Sequence, residues 1–193
     1  MRIGLLVVLV TWANLLPEAA GKIVRRIGPD GIPTYTYVPD APRRPLRQLR
    51  ATRRYQALLA EAARKFRLPV ALLAAVLETE SAGDAQAVSS AGAQGLMQLI
   101  PKTQARMEVA DPFDPRESIF GGARYLRDLA DRFDENLVLI VAGYHAGERT
   151  VVEAGYRIPA IPSTRRYVTT VLRRYYRAQA DARRPSRPGG KAP

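Results

Sequence analysis

The stretch VLETESAGDAQAVSSAGAQGLMQLIP, residues 76–101, changes character after its first five residues. It begins with the apolar spacing of a helix and becomes rich in Ala, Ser and Gly once it has passed Glu80. In a helix over residues 70–80, Glu80 falls four positions after Val76 and three after Leu77, on the apolar stripe. We therefore predict a carboxyl group at the core-facing end of a helix, followed by a loop of small residues with room for a ligand.

Two interpretations of Glu80 follow from this position. Burial disfavours the charged form and raises a carboxyl pKa, so Glu80 would hold a proton near neutral pH and donate it as a general acid. Alternatively, Glu80 forms a salt bridge with one of the 30 basic residues at a frayed helix end. In the loop, Gly92 and Gly95 allow close approach of the backbone, and the Gln98 amide is a candidate ligand contact. These neighbours favour the general-acid interpretation.

The composition excludes several kinds of active site. The 193 residues include no cysteine and a single histidine, His145. Thiol nucleophiles, disulfides, zinc–thiolate sites and paired-histidine zinc helices are therefore impossible. No glycine-rich phosphate-binding motif occurs, so nucleotide binding has no support. The net charge of +12, with basic residues along the whole chain, favours anionic surfaces such as nucleic acid, lipid headgroups or a wall polymer without choosing among them.

Residues 1–21 have the pattern of a secretory signal peptide. A basic residue precedes an apolar run over residues 3–10, and Ala19 and Gly21 form a small-x-small cleavage site. The alternative is a single membrane anchor, but the run is short for a span, which needs roughly 20 residues. We therefore predict an exported, periplasmic or extracellular protein.

Residues 22–45 predict an accessory segment ahead of the main domain. Apolar and polar residues alternate on both sides of Pro29-Asp30-Gly31, a pattern typical of a β-hairpin. A Pro- and Arg-rich linker follows. At the other end of the chain, residues 179–193 predict a disordered basic tail.

Residues 46–178 predict a compact, mostly α domain. The apolar spacing indicates helices within six ranges: 49–66, 70–80, 103–109, 111–133, 137–144 and a last one reaching about 177. Asn136 is predicted to cap the fifth of these helices, and Ser163 or Thr164 the sixth.

Four blocks of sequence resemble, in order, those of the soluble lytic transglycosylases, the goose-lysozyme-like enzymes of the cell wall. The blocks are ESAGDAQAVSSAGAQGLMQLIPKT, FDPRESIFGGARYLRDL, AGYHAG and TRRYVTTVL. Together they extend the resemblance over roughly residues 55–174. The resemblance implies a lysozyme-like transglycosylase domain preceded by a short N-terminal β-hairpin.

The resemblance also implies roles for six residues. Glu80 corresponds to the single catalytic acid/base of the family. The other matched residues contact the substrate or shape the surroundings of the glutamate: Ser89, Met97, Gln98, Tyr144 and Tyr167. Among them, Met97 matches a residue that lines the sugar groove, and Tyr144 matches the tyrosine beside the glutamate.

The implied substrate is the glycan strand of peptidoglycan, cut between N-acetylmuramic acid and N-acetylglucosamine to leave a 1,6-anhydro end. No metal ion or cofactor is implied. Glu80 would protonate the leaving oxygen, the acetamido group of the substrate would stabilise the developing cation, and the carboxylate would then accept the proton of the C6 hydroxyl. We expect a monomer with no nucleic-acid partner and with weak attraction to anionic membrane or wall surfaces.

The sequence departs from the family pattern in two places. Gly83, Asp84 and Ala85 stand where the family commonly has a bulky residue and then Asn-Pro, and His145 replaces the usual Asn. His145 makes activity pH-sensitive or is simply a packing residue.

Three other functions stay open. A lysozyme-type hydrolase would use Asp84 as a second carboxylate. A peptidoglycan-binding protein without catalysis is disfavoured by Glu80, Gln98 and Tyr144. A cationic protein that binds membranes or nucleic acid rests on charge alone.

Overall fold

The structure, a computed structural model, describes residues 21–27, 33–39 and 53–182. These ranges form two strands followed by seven helices. The strands are β1 (Gly21–Ile27) and β2 (Pro33–Pro39). The helices are α1 (Gln56–Phe66), α2 (Val70–Glu80), α3 (Pro101–Arg106), α4 (Pro115–Arg132), α5 (Leu137–Ala146), α6 (Glu148–Glu153) and α7 (Pro162–Ala182). The prediction of a mostly α fold is confirmed.

The two strands form the predicted hairpin. They pair antiparallel, with Lys22 opposite Val38 and Ile27 opposite Pro33. The turn residues, 28–32, lie outside the described ranges. The hairpin lies against the helical domain, because β1 contacts α7 and β2 contacts both α5 and α7. Ile23 is partly buried against the hydrophobic core.

Helices α2 and α5 form the centre of the domain. Helix α2 packs against α1, α4 and α7, and α5 packs against α4, α6 and α7. In α5, every residue from Val138 to Tyr144 is buried, as expected of a helix surrounded by others. The buried residues of α2 are Leu72, Leu73, Ala75, Val76 and Leu77. Each large apolar side chain buried here stabilises the fold by about 1.5–3 kcal/mol.

The helix ends confirm some sequence predictions and correct others. Asn136 caps α5, since its side chain accepts a hydrogen bond from the backbone N–H of Leu139. The predicted cap of the last helix is wrong, because α7 begins at Pro162, ahead of both Ser163 and Thr164. Proline suits the first position of a helix, where its missing N–H has no intrahelical partner anyway.

Several helices have other bounds than predicted, and α6 was not predicted. Helix α3 begins at Pro101 and ends at Arg106 instead of covering residues 103–109, and α5 continues to Ala146. A turn at Arg54 and Tyr55 precedes α1, which begins at Gln56. Helix α7 continues to Ala182 and so includes the first four residues of the predicted tail. The signal-peptide, linker and remaining tail predictions fall outside the described residues and stay predictions. Within the part of the chain that the structure describes, no helix is both long and apolar enough to cross a bilayer.

Candidate active site

Glu80 is the last residue of α2 and continues its buried stripe. Val76 and Leu77 are fully buried, and Glu80, one turn further along, is half-buried. The helix ends here because the backbone becomes left-handed directly afterwards, at Ala82 (φ +50°) and Gly83 (φ +84°). The apolar spacing of α2 therefore places a carboxyl group at the rim of the core, as the sequence predicts.

Two buried tyrosines from other helices lie beside this carboxyl group. The Tyr167 hydroxyl, on α7, donates a hydrogen bond to Glu80 Oε1 at 2.5 Å. The Tyr144 hydroxyl, on α5, donates instead to the carbonyl oxygen of Met97 at 2.8 Å. Burial raises the pKa of both phenols well above 10, and the charge of Glu80 raises it further. Both tyrosines therefore remain hydrogen-bond donors at neutral pH.

The electrostatic environment keeps Glu80 partly protonated at neutral pH. Burial raises its pKa from 4.5 to about 7, and the hydrogen bond from Tyr167 opposes this by favouring the carboxylate. None of the ion pairs among the described residues includes Glu80. Of the two interpretations of Glu80, the structure favours the general acid, a carboxyl group that can donate and accept a proton near pH 7, over the salt bridge at a frayed helix end.

The loop after α2 is held in place by a close backbone contact. Gly95 has φ +73°, and a Cβ atom at this position would lie 1.8 Å from the carbonyl oxygen of Pro112. The Gly95 N–H donates to the carbonyl of Ala87 at 2.9 Å. Gly95 therefore allows the loop to lie against the segment that leads into α4. Gly92 has φ +77° but no atom within 4 Å of such a Cβ, so conformation alone favours glycine there.

Ser89 and Gln98 use their side chains to hold the same loop. Ser89 Oγ accepts a hydrogen bond from the Ala93 N–H at 3.0 Å. Gln98 Nε2 donates to the carbonyls of Ala87 and Gly95, both at 3.0 Å. Gln98 also has a left-handed backbone, with φ +47°. These bonds fix the shape of the loop that follows α2. The two bonds of Gln98 use its Nε2 atom, so its Oε1 atom takes no part in them.

The prediction that the Met97 side chain lines a groove is wrong. Met97 is fully buried, and a Cβ atom on Gly122 would lie 2.6 Å from its terminal methyl carbon. The side chain therefore packs on the flat surface that Gly122 offers in α4. Its backbone N–H is held by the buried Ser118 Oγ at 3.2 Å, which turns the residue towards the core.

Sequence reasoning assigned no role in the site to Ser118 or Thr164. Both are polar and almost fully buried, and both hold residues of the site. Ser118 lies on the apolar stripe of α4, four residues before Gly122. A polar residue on an apolar stripe is the signal that identified Glu80, and it would have found Ser118 too.

His145 directly follows Tyr144 and contacts α7. Its ring lies on the ring of Tyr167, with centroids 4.6 Å apart and planes at 37°. Its Nδ1 is 3.2 Å from Thr164 Oγ1. Partial desolvation lowers the pKa of the imidazole.

Among the residues that the structure describes, no second carboxyl group perturbs the pKa of Glu80. Asp84 is exposed, and its Oδ1 accepts the Gln86 N–H at 2.9 Å, within its own loop. Glu78 lies two residues before Glu80, where its charge acts on Arg174 of α7. Across residues 53–182, no three acidic or histidine side chains come together in a group that could hold a metal ion.

Comparisons with known proteins agree with this arrangement. The family described as "Transglycosylase SLT domain" matches residues 57–158. The transglycosylase of Enterobacteria phage PRD1 is 41% identical over 87 residues, which cover 45% of this chain and 32% of the phage protein. The membrane-bound lytic murein transglycosylase F 2 of Alkalilimnicola ehrlichii is 36% identical over 131 residues, covering 62% of this chain and 29% of that protein.

A solved structure shares the fold. The lytic transglycosylase Slt of Pseudomonas aeruginosa, solved as an inactive mutant, matches with a TM-score of 0.59 and 30% identity over 68% of this chain. The match covers 25% of that chain, so the present chain spans about a third or less of the length of these relatives. Because the family match covers more than half of the sequence, the chain belongs to the transglycosylase SLT domain family.

Proposed function

We propose that this protein is a peptidoglycan lytic transglycosylase in which Glu80 is the single acid/base. The observation that carries the proposal is the half-buried Glu80 carboxyl, with a pKa near 7 and a hydrogen bond from Tyr167. The names of the relatives support the substrate class. The Slt mutant, which replaces a glutamate by glutamine, is inactive, and this supports the importance of one carboxyl group.

The reaction begins with proton donation. Protonated Glu80 gives its proton to the oxygen of the bond between N-acetylmuramic acid and N-acetylglucosamine as that bond breaks. The hydrogen bond from Tyr167 stabilises the carboxylate that remains, because it lowers the Glu80 pKa. The acetamido group of the substrate stabilises the positive charge that develops at C1.

Ring closure then restores the enzyme. The Glu80 carboxylate takes the proton of the C6 hydroxyl while the C6 oxygen bonds to C1. The product carries a 1,6-anhydro ring, and Glu80 is protonated for the next cut. One carboxyl group serves both steps, which fits a site where Asp84 is exposed and bonded to its own loop.

The charge distribution disfavours a function that rests on cationic binding alone. Residues 53–182 contain 18 of the 30 basic residues and 15 of the 18 acidic ones, a net charge of only +3 out of +12. The remaining excess lies outside the helical domain. We infer that the domain acts on a glycan and that the protein is exported, as its first 21 residues suggest; detection of the protein in the periplasmic or extracellular fraction would test the export.

Digestion of purified cell wall, followed by mass analysis of the products, tests the reaction. We expect muramic-acid ends that are lighter by one water than hydrolysed ends and that resist borohydride reduction. Reducible ends would instead identify a hydrolase, and loss of those ends in Asp84→Asn would identify the second carboxylate. Absence of any cleavage by the folded protein would contradict an enzymatic function.

A further inference from the structure

His145 connects α5 to the turn of α7 that carries Tyr167. Its imidazole contacts two side chains one helical turn apart, the ring of Tyr167 and the hydroxyl of Thr164. The ring contact fixes the face of the imidazole, and the 3.2 Å contact of Nδ1 fixes its rotation. The two contacts together hold α5 and α7 in register beside Glu80.

Thr164 makes the arrangement specific to a hydrogen-bonding ring. Its side chain is fully buried, and a buried hydroxyl needs a partner. His145 Nδ1 is at hydrogen-bond distance from it. A purely apolar residue at position 145 would therefore leave the Thr164 hydroxyl without this bond.

The two tyrosines next to Glu80 direct their hydroxyls differently. The Tyr144 hydroxyl donates its hydrogen bond to the Met97 carbonyl, whereas the Tyr167 hydroxyl donates to the Glu80 carboxyl group. The position of the Tyr167 ring decides this bond, since a phenol oxygen moves with its ring. His145 lies on the face of that ring and limits its tilt on this side.

We propose that His145 is a positioning residue, which holds the Tyr167 ring in the orientation that directs its hydroxyl to Glu80. The proposal rests on the function proposed above and adds a residue to its machinery. His145 itself need not touch the substrate or exchange a proton with it.

The surrounding charges indicate that His145 acts as a neutral ring. Tyr167 and Thr164 face the imidazole from α7. Desolvation lowers the pKa of His145, and no charged group among the described residues contributes to this shift. The titratable groups that act on the Tyr167 hydroxyl are Glu80, Tyr144 and Arg174. Because His145 is neutral at pH 7, packing and one hydrogen bond, rather than charge, carry its effect.

Direct titration of the Glu80 carboxyl by NMR, with carbon-13-labelled glutamate, tests this role without any need for activity. The Glu80 signal is assigned by its absence in Glu80→Gln. Because the Tyr167 bond lowers the Glu80 pKa, Tyr167→Phe should raise it, by about one pH unit. His145→Ala should shift the titration in the same direction by a smaller amount, and Tyr156→Ala, which removes an exposed ring that packs on Phe133, should leave it unchanged.

A double variant separates positioning from a general structural effect. In the Tyr167→Phe background, His145→Ala should add no further shift, because His145 acts through the Tyr167 hydroxyl. In wall digestion, His145→Ala should lower kcat more than it changes KM and should move the alkaline limb of the pH profile upward.

Two results would overturn the proposal: an unchanged Glu80 titration in His145→Ala, or an equal shift with and without the Tyr167 hydroxyl. If His145→Ala does not fold, Thr164→Val, which removes only the hydroxyl bonded to the imidazole, replaces it under the same criteria. His145→Phe, which keeps a ring on Tyr167, should shift the Glu80 titration less than Thr164→Val combined with loss of the ring would. A protein that shows these titrations but no wall cleavage would contradict the proposed function and leave the positioning role intact.

Discussion

Two glutamates of the helical domain, Glu61 and Glu80, have opposite chemistry. Glu61, on α1, is exposed and forms a two-pronged ion pair with Arg116, one bond of which is 2.9 Å long. Its hydrogen bond with Arg116 lowers the pKa of Glu61. At Glu80, burial raises the pKa to about 7, and the partner is a neutral phenol. Burial and the choice of partner, rather than residue type, decide whether a carboxyl group is a fixed ion or a working acid.

The same contrast extends to the surfaces around them. The outer side of α4 carries ion pairs between partly buried arginines and exposed carboxylates, such as Arg124 with Glu108 and Arg127 with both Asp131 and Glu135. Such pairs keep a surface hydrated and contribute little to stability. At the end of α2, by contrast, the hydrogen-bond partner of Glu80 is Tyr167, and no ion pair among the described residues includes the Glu80 carboxyl.

Replacing the acid should have the largest effect. Glu80→Gln keeps the shape of the side chain but has no transferable proton, so cleavage of cell wall should fall by about 100- to 10,000-fold. Glu78→Gln is the matched control on the same helix and should retain most activity. Comparable wall cleavage by wild type and folded Glu80→Gln would contradict the assignment of the acid.

The pH dependence should follow the Glu80 pKa. The proton donor is the protonated form, so kcat/KM, which reports the pKa of the free enzyme, should fall as the pH rises through about 7 and then tenfold for each further pH unit. Activity at pH 9 should therefore be roughly 100-fold below that at pH 6. Initial rates on purified wall across this range measure the limb, and a constant rate up to pH 9 would show that the proton comes from another group.

The stability of Glu80→Gln should reveal the cost of the buried acid. The folded-state pKa of about 7 lies above the ordinary 4.5, so the folded state binds the proton more tightly and stability falls as the pH rises between these values. Glu80→Gln has no ionisable group at this position, so its stability should not fall in this way. It should be more stable than wild type at pH 8, by at most about 3 kcal/mol. Thermal or denaturant unfolding at pH 4 and pH 8 measures the difference. A Glu80→Gln variant no more stable than wild type at pH 8 would argue that the carboxyl group is not desolvated.

The smallest effect is expected at Glu61. Glu61→Gln removes an exposed ion pair with Arg116, and the wall-cleaving rate and the melting temperature should both stay close to wild type. Raising the salt concentration should reduce any residual difference in melting temperature, because exposed charges are screened. A large loss of stability in Glu61→Gln would mean that the two surfaces differ less than their burial indicates.

Periodicity predicted the longer helices, but neither the short helix α6 nor the loop between α2 and α3. Val70–Glu80 and the Asn136 cap follow from spacing and local hydrogen bonding, which a sequence expresses directly. Residues 82–100 have no such period, and their side-chain directions depend on contacts with α4. Met97 turns inward because Gly122 and Ser118 receive it, and neither partner is near it in sequence.

Only part of the candidate site could be predicted, because the sequence expresses local spacing but not contacts between distant helices. The position of Glu80 on a stripe follows from α2 alone. The bond from Tyr167 and the contact of His145 with α7 require knowledge of how α5 and α7 pack. The family match itself ends at residue 158, before α7 begins, so the tyrosine that reaches the acid lies beyond it.

The hydrogen bond between Tyr167 and Glu80 joins positions 87 residues apart, and this distance along the chain has a consequence for biosynthesis. At about 5–20 residues per second, a ribosome needs roughly 4–17 seconds to add the tyrosine after the glutamate. During that interval α7 has not been made, so α2 lacks the neighbour that helps bury its end, and an exposed carboxyl group is ionised at neutral pH. Glu80 therefore acquires the raised pKa of a buried carboxyl group only when the last helix docks.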